Sequence, residues 1–420
     1  MSTQVTAETG EERTAQDPVA ALGAQALDPR LGAARIQVVE ADTGRTLLAR
    51  AAHLPAETAS VMKTISCAAA LHALGPDHRI ETRVLRGAQP GEIVLVGGGD
   101  VTLSRVPGDG TTYYTDPARL DELARRTLAA LGGTPPTRIV LDDSLFAGGE
   151  WREDQWLEED RDPNGDIPRI SSLQTDGDRN DPAVDDSARG SDPTGRAGAA
   201  FAAFLGGSPE LLRGTAETGA ELLASVSSQP IEALVRECLR TSDNALAEAL
   251  AKLAALALGS GPGFDEVGET LTGVLAGYGV PVEGVELLDG SGMSPGIRVP
   301  AATVVDLLRR ARLREGALGL LDDRLTRTGP GGTMYSLRFV GENTVIGDAL
   351  RAKTGYIESV HSLAGVVRTV GGTDLVFGVF AMGENMPPDD PARTAVDDFT
   401  VRLHLLGDAL LTLDEPLRLD

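Results

Sequence analysis

The apolar positions near both ends of the chain follow the spacing of β-strands. Residues 35–40 are rich in β-branched side chains, residues 46–49 form a second apolar run, and a turn sequence around Gly44 separates them. This pattern predicts a β-hairpin. Three more strand-like runs joined by short turns lie near the C-terminus, at 350–357, 362–368 and 373–382. We therefore expect an antiparallel sheet with the N-terminal hairpin added at its edge.

Between these strands the apolar residues recur at helical spacing. The predicted helices cover residues 120–131, 198–205, 231–239, 245–258, 300–313 and 392–411. An additional Ala-rich run over residues 65–71 contains neither Gly nor Pro and also predicts a helix. The main sheet should therefore be flanked by helices.

The middle of the chain differs in character. Short apolar runs at 92–96 and 138–141 predict strands, whereas residues 153–195 are rich in Asp, Gly, Pro and Arg and predict long loops. We expect an α+β fold in which an inserted mixed α/β domain interrupts a main domain. The predicted division is a disordered leader over 1–25, a main domain over 26–79 and 221–420, and an insertion over 80–220.

Candidate chemistry starts with Ser60 and Lys63. They are three residues apart, just before the Ala-rich run, so they should share one face of the first helical turn. The chain has 38 Lys and Arg residues together, but its only lysines are Lys63, Lys252 and Lys353. A buried amine can lose its proton and act as a base, whereas a guanidinium cannot. The pair is therefore a candidate serine nucleophile with its base.

Two further motifs contain groups that such a pair would need. Ser242-Asp243-Asn244 precedes a predicted helix, where alternate side chains of a short loop can face one cleft, although Asp and Asn there also cap helices. Lys353-Thr354-Gly355 opens a predicted strand, where a glycine permits close approach of a substrate and a lysine supplies positive charge. Each motif is weak evidence by itself.

Composition and charge exclude several other functions. The formal net charge of −24 opposes binding to nucleic acid or to anionic membrane surfaces. The five histidines have no metal-binding spacing, so a metal site has no support. Two cysteines are too few for a disulfide framework, and no apolar run is long enough to span a membrane.

Taken in order, the three motifs resemble those of the penicillin-binding proteins and serine β-lactamases. The wide separation of Ser60 from Ser242 is similar to the low-molecular-mass class C group, the D-alanyl-D-alanine carboxypeptidase/endopeptidase family. Stretches at 96–103, 142–146, 289–294 and 351–355 also resemble that family. The resemblance implies a transpeptidase-like domain with an insertion, acting on peptides that end in a D-residue and acylated by β-lactams, and it implies no organic cofactor.

The resemblance also implies roles for particular residues. Ser60 would form the acyl-enzyme, with neutral Lys63 as base, and Ser242 would pass a proton to the leaving amine. Asn244 would hold a substrate amide, while Lys353 and Thr354 would attract the terminal carboxylate. The backbone N–H groups of Ser60 and Tyr356 would form the oxyanion hole. Tyr356 departs from the family pattern, which usually has Thr after Lys-Thr-Gly355.

Two alternatives stay open at this point. The polar, acidic residues 1–13 predict no signal peptide, so the location could be the cell wall or the cytoplasm. A cytosolic relative could instead use the Ser60 acyl-enzyme as a thioesterase or peptide cyclase that releases a nonribosomal peptide, which would suit Tyr356. A catalytically silent peptide-binding protein is the third reading, but a binder has no need for a rare lysine beside a serine.

Overall fold

The computed structural model describes residues 17–161, 163–328, 334 and 338–419. Its helices are α1 (Pro18–Ala26), α2 (Lys63–Leu74), α3 (Leu120–Ala130), α4 (Glu158–Arg161), α5 (Pro193–Leu205), α6 (Ile231–Thr241), α7 (Asn244–Ala257), α8 (Phe264–Gly277), α9 (Ala301–Arg312), α10 (Gly319–Arg324) and α11 (Pro391–Leu406). Its strands are β1 (Arg35–Glu40), β2 (Thr46–Arg50), β3 (Arg79–Arg86), β4 (Glu92–Val96), β5 (Arg138–Asp142), β6 (Glu210–Arg213), β7 (Leu222–Pro230), β8 (Thr326–Arg327), β9 (Leu350–Ile357), β10 (Val360–Arg368), β11 (Asp374–Met382) and β12 (Leu417–Leu419). Together they form an α+β fold.

The larger sheet joins the two ends of the chain. Within the described residues its strand order is β12-β2-β1-β11-β10-β9-β8. The predicted hairpin, β1 and β2, pairs antiparallel with β11, and Val38 lies opposite Phe377. The predicted antiparallel arrangement of β9, β10 and β11 is also found. The prediction that the N-terminal hairpin extends the C-terminal sheet is therefore confirmed.

Helices cover both faces of this sheet, which explains its apolar strands. On β11, Phe377 packs into a core cluster with residues of α1 and α11, whereas Val376 and Phe380 pack into a second cluster with residues of α9. A strand buried on both faces has a nearly continuous apolar sequence instead of an alternating one. Residues 375–381 are accordingly all buried.

Helix α2 lies at the centre of the second cluster. Its residues 63–71 are all buried, and it packs against α6 and α7. A helix that is small and apolar on every side can be surrounded in this way, because no polar face requires solvent. Lys63 is the first residue of α2 and belongs to this buried segment, so its amine lies inside the protein.

The smaller sheet has the order β6-β5-β4-β3-β7 within the described residues, with α3 and α5 packed on it. Strand β7 pairs antiparallel with β3, and it lies beyond the boundary predicted at residue 220. We therefore propose that the inserted unit extends to about residue 230. The predicted loop-rich character of 153–195 agrees with the few helical residues found there before α5.

The prediction of a disordered leader over 1–25 is wrong for its last part. Residues 18–26 form α1, capped by the Asp17 side chain, which accepts a hydrogen bond from the Val19 N–H. Leu22 and Ala26 are buried against the α11 side of the sheet. Residues 1–16 lie outside the described residues. In the part of the chain that the structure describes, no helix has the length and apolar character needed to cross a bilayer.

Candidate active site

Ser60 lies in a 3₁₀ turn, Ala59–Met62, that leads directly into α2. Its neighbour Ala59 has a φ of 44°, in the left-handed region that residues other than glycine rarely adopt. Backbone strain of this kind tends to occur at functional sites. The turn places the Ser60 hydroxyl on the wall of a cavity instead of in the helix interior.

Lys63 is fully buried, and its amine contacts three oxygens. The Nζ atom lies 2.7 Å from Ser60 Oγ, 2.6 Å from Asn244 Oδ1 and 2.8 Å from the Ser291 carbonyl oxygen. Burial lowers the pKa of Lys63 below its ordinary value, because a charged amine loses its hydration there; nearby acidic groups oppose this only in part. Deprotonation of Lys63 to the neutral amine therefore costs less free energy here than in water.

Ser242 and Lys353 form a second polar pair. Lys353 Nζ donates to Ser242 Oγ at 2.9 Å and to the Thr354 carbonyl oxygen at 2.7 Å. Ser242 directly follows α6 and has a φ of 61°, in the left-handed region that ends the helix there. Burial, and then the nearby Lys63, hold the pKa of Lys353 well below its ordinary value.

Strand β9 passes very close to the nucleophile turn at Gly355. A Cβ atom at residue 355 would lie 2.8 Å from the Thr58 carbonyl oxygen and 2.9 Å from the Ser60 nitrogen, so only glycine fits. Ser362 on the neighbouring strand donates to the same Thr58 carbonyl at 2.7 Å. These contacts bring the Lys-Thr-Gly motif against Ser60.

Tyr356 has a partner of its own outside the catalytic group. Its hydroxyl donates to the Met386 carbonyl oxygen at 3.0 Å, and its ring centroid lies 4.8 Å from that of His361. His361 Nε2 lies 3.0 Å from the Pro387 carbonyl oxygen. Both side chains therefore hold the loop between β11 and α11, and this loop borders the cavity at Pro388.

The predicted residues meet at one cavity of about 480 Å³. Its lining includes Ser60, Ser242, Asn244, Thr354, Gly355 and Tyr356. Lys63 and Lys353 are buried behind this lining and reach it through the two serines. No described residues form a group of three or more His, Cys, Asp or Glu side chains that could hold a metal ion.

Sequence reasoning missed the groups that hold the Ser242 loop from the other side. Asp243 accepts hydrogen bonds from Arg179 Nη2 at 2.9 Å, from the Tyr114 hydroxyl at 2.9 Å and from the Leu246 N–H at 2.7 Å. Arg179 also lies over the Tyr113 ring, 3.8 Å from its centroid. Arg179 and Tyr114 come from the inserted segment, and no spacing rule connects them to residue 243.

The Ser291 carbonyl was the other omission. The sequence 289–294 resembles the family and lacks the G-x-S-x-G spacing of other serine hydrolases, but neither observation predicts a role for a backbone atom. The structure places its backbone against Lys63. A backbone carbonyl has no residue-type signal, so pattern reasoning had nothing from which to find it.

Comparison with known proteins agrees with this geometry. The sequence matches the D-Ala-D-Ala carboxypeptidase 3 (S13) family over residues 19–207 and 205–403. It is 36% identical over 394 residues to the carboxypeptidase DacB of Mycolicibacterium smegmatis, covering 92% of this chain and 84% of that protein. A carboxypeptidase of Mycobacterium tuberculosis is 34% identical over 407 residues, covering 96% and 86%.

The fold is similar to that of penicillin-binding protein 4 from Haemophilus influenzae. The TM-score is 0.71 at 19% identity, covering 88% of this chain and 95% of that one. A structure of the same Haemophilus protein in complex with a β-lactam has a TM-score of 0.64 at 18% identity, with the same coverage.

Proposed function

Because the chain belongs to the D-Ala-D-Ala carboxypeptidase 3 (S13) family and is a serine-type D-Ala-D-Ala carboxypeptidase, we propose that Ser60 forms the acyl-enzyme and Lys63 is its base. The enzyme removes the terminal D-alanine of peptidoglycan stem peptides. Ser60 Oγ bonds to the carbonyl carbon of the penultimate D-Ala while the bond to the leaving nitrogen breaks. Water then hydrolyses the ester and restores Ser60. The 2.7 Å contact between Lys63 Nζ and Ser60 Oγ carries this proposal.

The surroundings of Lys63 direct its lone pair. A neutral amine has two N–H donors and one lone pair. The Asn244 Oδ1 and Ser291 carbonyl oxygens can only accept hydrogen bonds, so they take the two N–H groups. Ser60 is the one contact that can donate. The lone pair of neutral Lys63 therefore faces the Ser60 hydroxyl proton, as a general base requires.

Ser242 and Lys353 suit the other half of the reaction. The leaving nitrogen must gain a proton, and Ser242 lies on the cavity wall with Lys353 Nζ 2.9 Å behind it. Lys63 is one cause of the lowered pKa of Lys353, so a neutral Lys63 favours a protonated Lys353. A protonated Lys353, with Thr354, would also attract the terminal carboxylate of the substrate.

The backbone at Gly355 supports an oxyanion hole. Strand β9 approaches the Ser60 nitrogen closely at Gly355, and Ser60 and Tyr356 both line the cavity, which supports an oxyanion hole formed by their N–H groups. Two backbone donors at the site where negative charge develops would stabilise the tetrahedral intermediate. The same arrangement would suit a β-lactam, and the similar Haemophilus protein has been solved with one.

The test is intact-mass analysis after incubation with benzylpenicillin, combined with an assay of D-alanine release from a peptide ending in D-Ala-D-Ala. We expect one penicilloyl group on Ser60, none on Ser60→Ala, and nearly none on Lys63→Arg, because Arg cannot act as a base. Lys252→Arg is the matched control, since Lys252 is as buried as Lys63 but its amine donates to the Pro262 carbonyl oxygen and not to Ser60.

Full activity of Lys63→Arg would refute the role given to Lys63. A peptidyl thioester ending in a D-residue is the second substrate in the assay. Turnover of the thioester without release of D-alanine from the peptide would favour the cyclase reading over the carboxypeptidase.

A further inference from the structure

A buried glutamate, Glu248, lies near Lys63 and has no role in the proposed mechanism. Glu248 on α7 is fully buried. Its Oε1 accepts hydrogen bonds from the Ser291 N–H at 2.7 Å and the Gly290 N–H at 3.1 Å, and its Oε2 lies 3.0 Å from the same Gly290 nitrogen. Both of its oxygens are thus occupied by the backbone of one turn.

That turn is also held from two other directions. Ser66, one turn along α2 from Lys63, donates to the Gly290 carbonyl oxygen at 2.6 Å. Asp289 accepts hydrogen bonds from the Gly292 and Ser294 N–H groups, both at 2.7 Å, so the turn folds around its carboxylate. The peptide units of residues 290 and 291 have little freedom to rotate.

The backbone N–H and carbonyl groups of Ser291 connect Glu248 to Lys63, the proposed base of Ser60. Its N–H is bound by Glu248, and its carbonyl accepts from Lys63 Nζ at 2.8 Å. If the turn rotated, this carbonyl would leave Lys63, and the amine would have one N–H without an acceptor. The amine could then rotate so that this N–H, instead of the lone pair, points at Ser60.

We infer that Glu248 is a positioning residue for acyl transfer: through the Gly290–Ser291 backbone it fixes the carbonyl that directs the lone pair of Lys63 toward Ser60. This inference rests on the proposed function of Ser60 and Lys63. It assigns Glu248 an effect on the rate of acylation and none on the binding of the acylating ligand, because Glu248 does not line the cavity.

The test compares Glu248→Gln with wild type by following penicilloyl formation at several benzylpenicillin concentrations. A Gln amide has the size of the carboxylate, but its NH₂ group must face one of the two backbone N–H groups. A buried backbone N–H left without its acceptor predicts an acylation rate constant about 10- to 100-fold lower. The ligand concentration at half-maximal rate and the final stoichiometry of one adduct should stay within about twofold of wild type.

Lys252→Arg is the control on the same helix, because it disturbs α7 one turn away, at the contact of Lys252 with the Pro262 carbonyl, and keeps the positive charge. We expect it to lower the melting temperature without changing the acylation rate constant. Ser66→Ala removes the opposite support of the turn, and a partial rate loss is expected. It also tests the inference if Glu248→Gln does not fold.

Three results would overturn the inference. The first is acylation of Glu248→Gln at the wild-type rate. The second, which applies if Glu248→Gln does not fold, is acylation of Ser66→Ala at the wild-type rate. The third is that Lys252→Arg and Glu248→Gln both lose acylation rate in proportion to their loss of melting temperature. Failure of wild type to form an adduct on Ser60 would be a different result. It would refute the proposed function, and the role of Glu248 with it.

Discussion

The buried ion pair between Arg179 and Asp243 gives a quantitative prediction. The two side chains are 1% and 2% exposed and lie 2.9 Å apart. Arg179 belongs to the inserted segment, whereas Asp243 stands between Ser242 and Asn244 of the candidate site. Arg179→Met removes the guanidinium and keeps a long apolar side chain, so it leaves the Asp243 carboxylate buried without its counter-ion.

Breaking a buried ion pair by removing one partner typically costs about 3–5 kcal/mol. Asp243 would keep its hydrogen bonds from the Tyr114 hydroxyl and the Leu246 N–H, so we expect the lower end, about 3 kcal/mol. Arg125→Met is the matched control, because Arg125 in the same segment is 68% exposed and pairs with Glu122. An exposed pair should contribute less than about 1 kcal/mol.

Activity should fall as well, because Asp243 fixes the loop that carries Ser242 and Asn244. A misplacement of about 1 Å in a catalytic group can cost about 10²-fold in rate, so we expect a loss of acylation approaching that size in Arg179→Met. Arg125→Met should acylate at the wild-type rate. The measurements are urea unfolding, followed by tryptophan fluorescence and circular dichroism with coincident transitions, and benzylpenicillin acylation.

A double-mutant cycle with Asp243→Asn decides whether the ion pair itself is responsible. Asn keeps the ability to cap α7 but removes the charge. If the pair acts as argued, the two substitutions should be strongly non-additive, with a coupling of about 2 kcal/mol or more. A coupling below about 0.5 kcal/mol, or normal acylation by Arg179→Met, would refute the reasoning.

Three further predictions concern the nucleophile and the substrate. Burial lowers the pKa of Lys63, and its neutral form is the proposed base. In a pH–rate profile the acylation rate should therefore rise with pH through a midpoint below 10.5, and a rate that falls over that range would contradict this role. Gly355→Ala should reduce acylation about 10²-fold or more, because the new Cβ would displace the Thr58 carbonyl or Ser60, and unchanged acylation in the penicillin assay would disprove the close contact. Tyr356→Thr introduces the hydroxyl usual in the family, so kcat/KM for D-alanine release should rise relative to penicillin acylation; a fall in both would indicate that the Tyr356 contact with Met386 matters more.

Local patterns predicted much of the fold. The hairpin of β1 and β2, the run of β9 to β11 and helix α9 all lie within about two residues of their predicted positions, because hydrophobic periodicity is a property of neighbouring residues. Helix α1 was mistaken for part of a leader. Asp17 before Pro18 was the overlooked signal, since a capping Asp followed by Pro at the first helical position is a typical helix start.

Pairings between distant segments could not be predicted in the same way. Strand β7 pairs with β3 across the whole insertion, and the predicted boundary at 220 cut it off from that sheet. The helix predicted to reach residue 411 ends at Leu406 and continues as a 3₁₀ turn. The pairing of β7 is a tertiary contact that local propensity does not contain, and helix ends are the part of a helix that local patterns define least well.

The amino-acid sequence by itself determined which chemistry this protein can offer: a serine three residues from a rare lysine, a second serine two residues from an asparagine amide, and a lysine two residues from a glycine. These are properties of residue types and short spacings. Tertiary structure decided how that chemistry is controlled. The amine of Lys63 is neutral more readily because the fold buries it, and its lone pair has a direction because the Ser291 carbonyl and Asn244 occupy its protons. Burial and the choice of hydrogen-bond partners depend on where distant segments meet, so they exist only once the chain has folded.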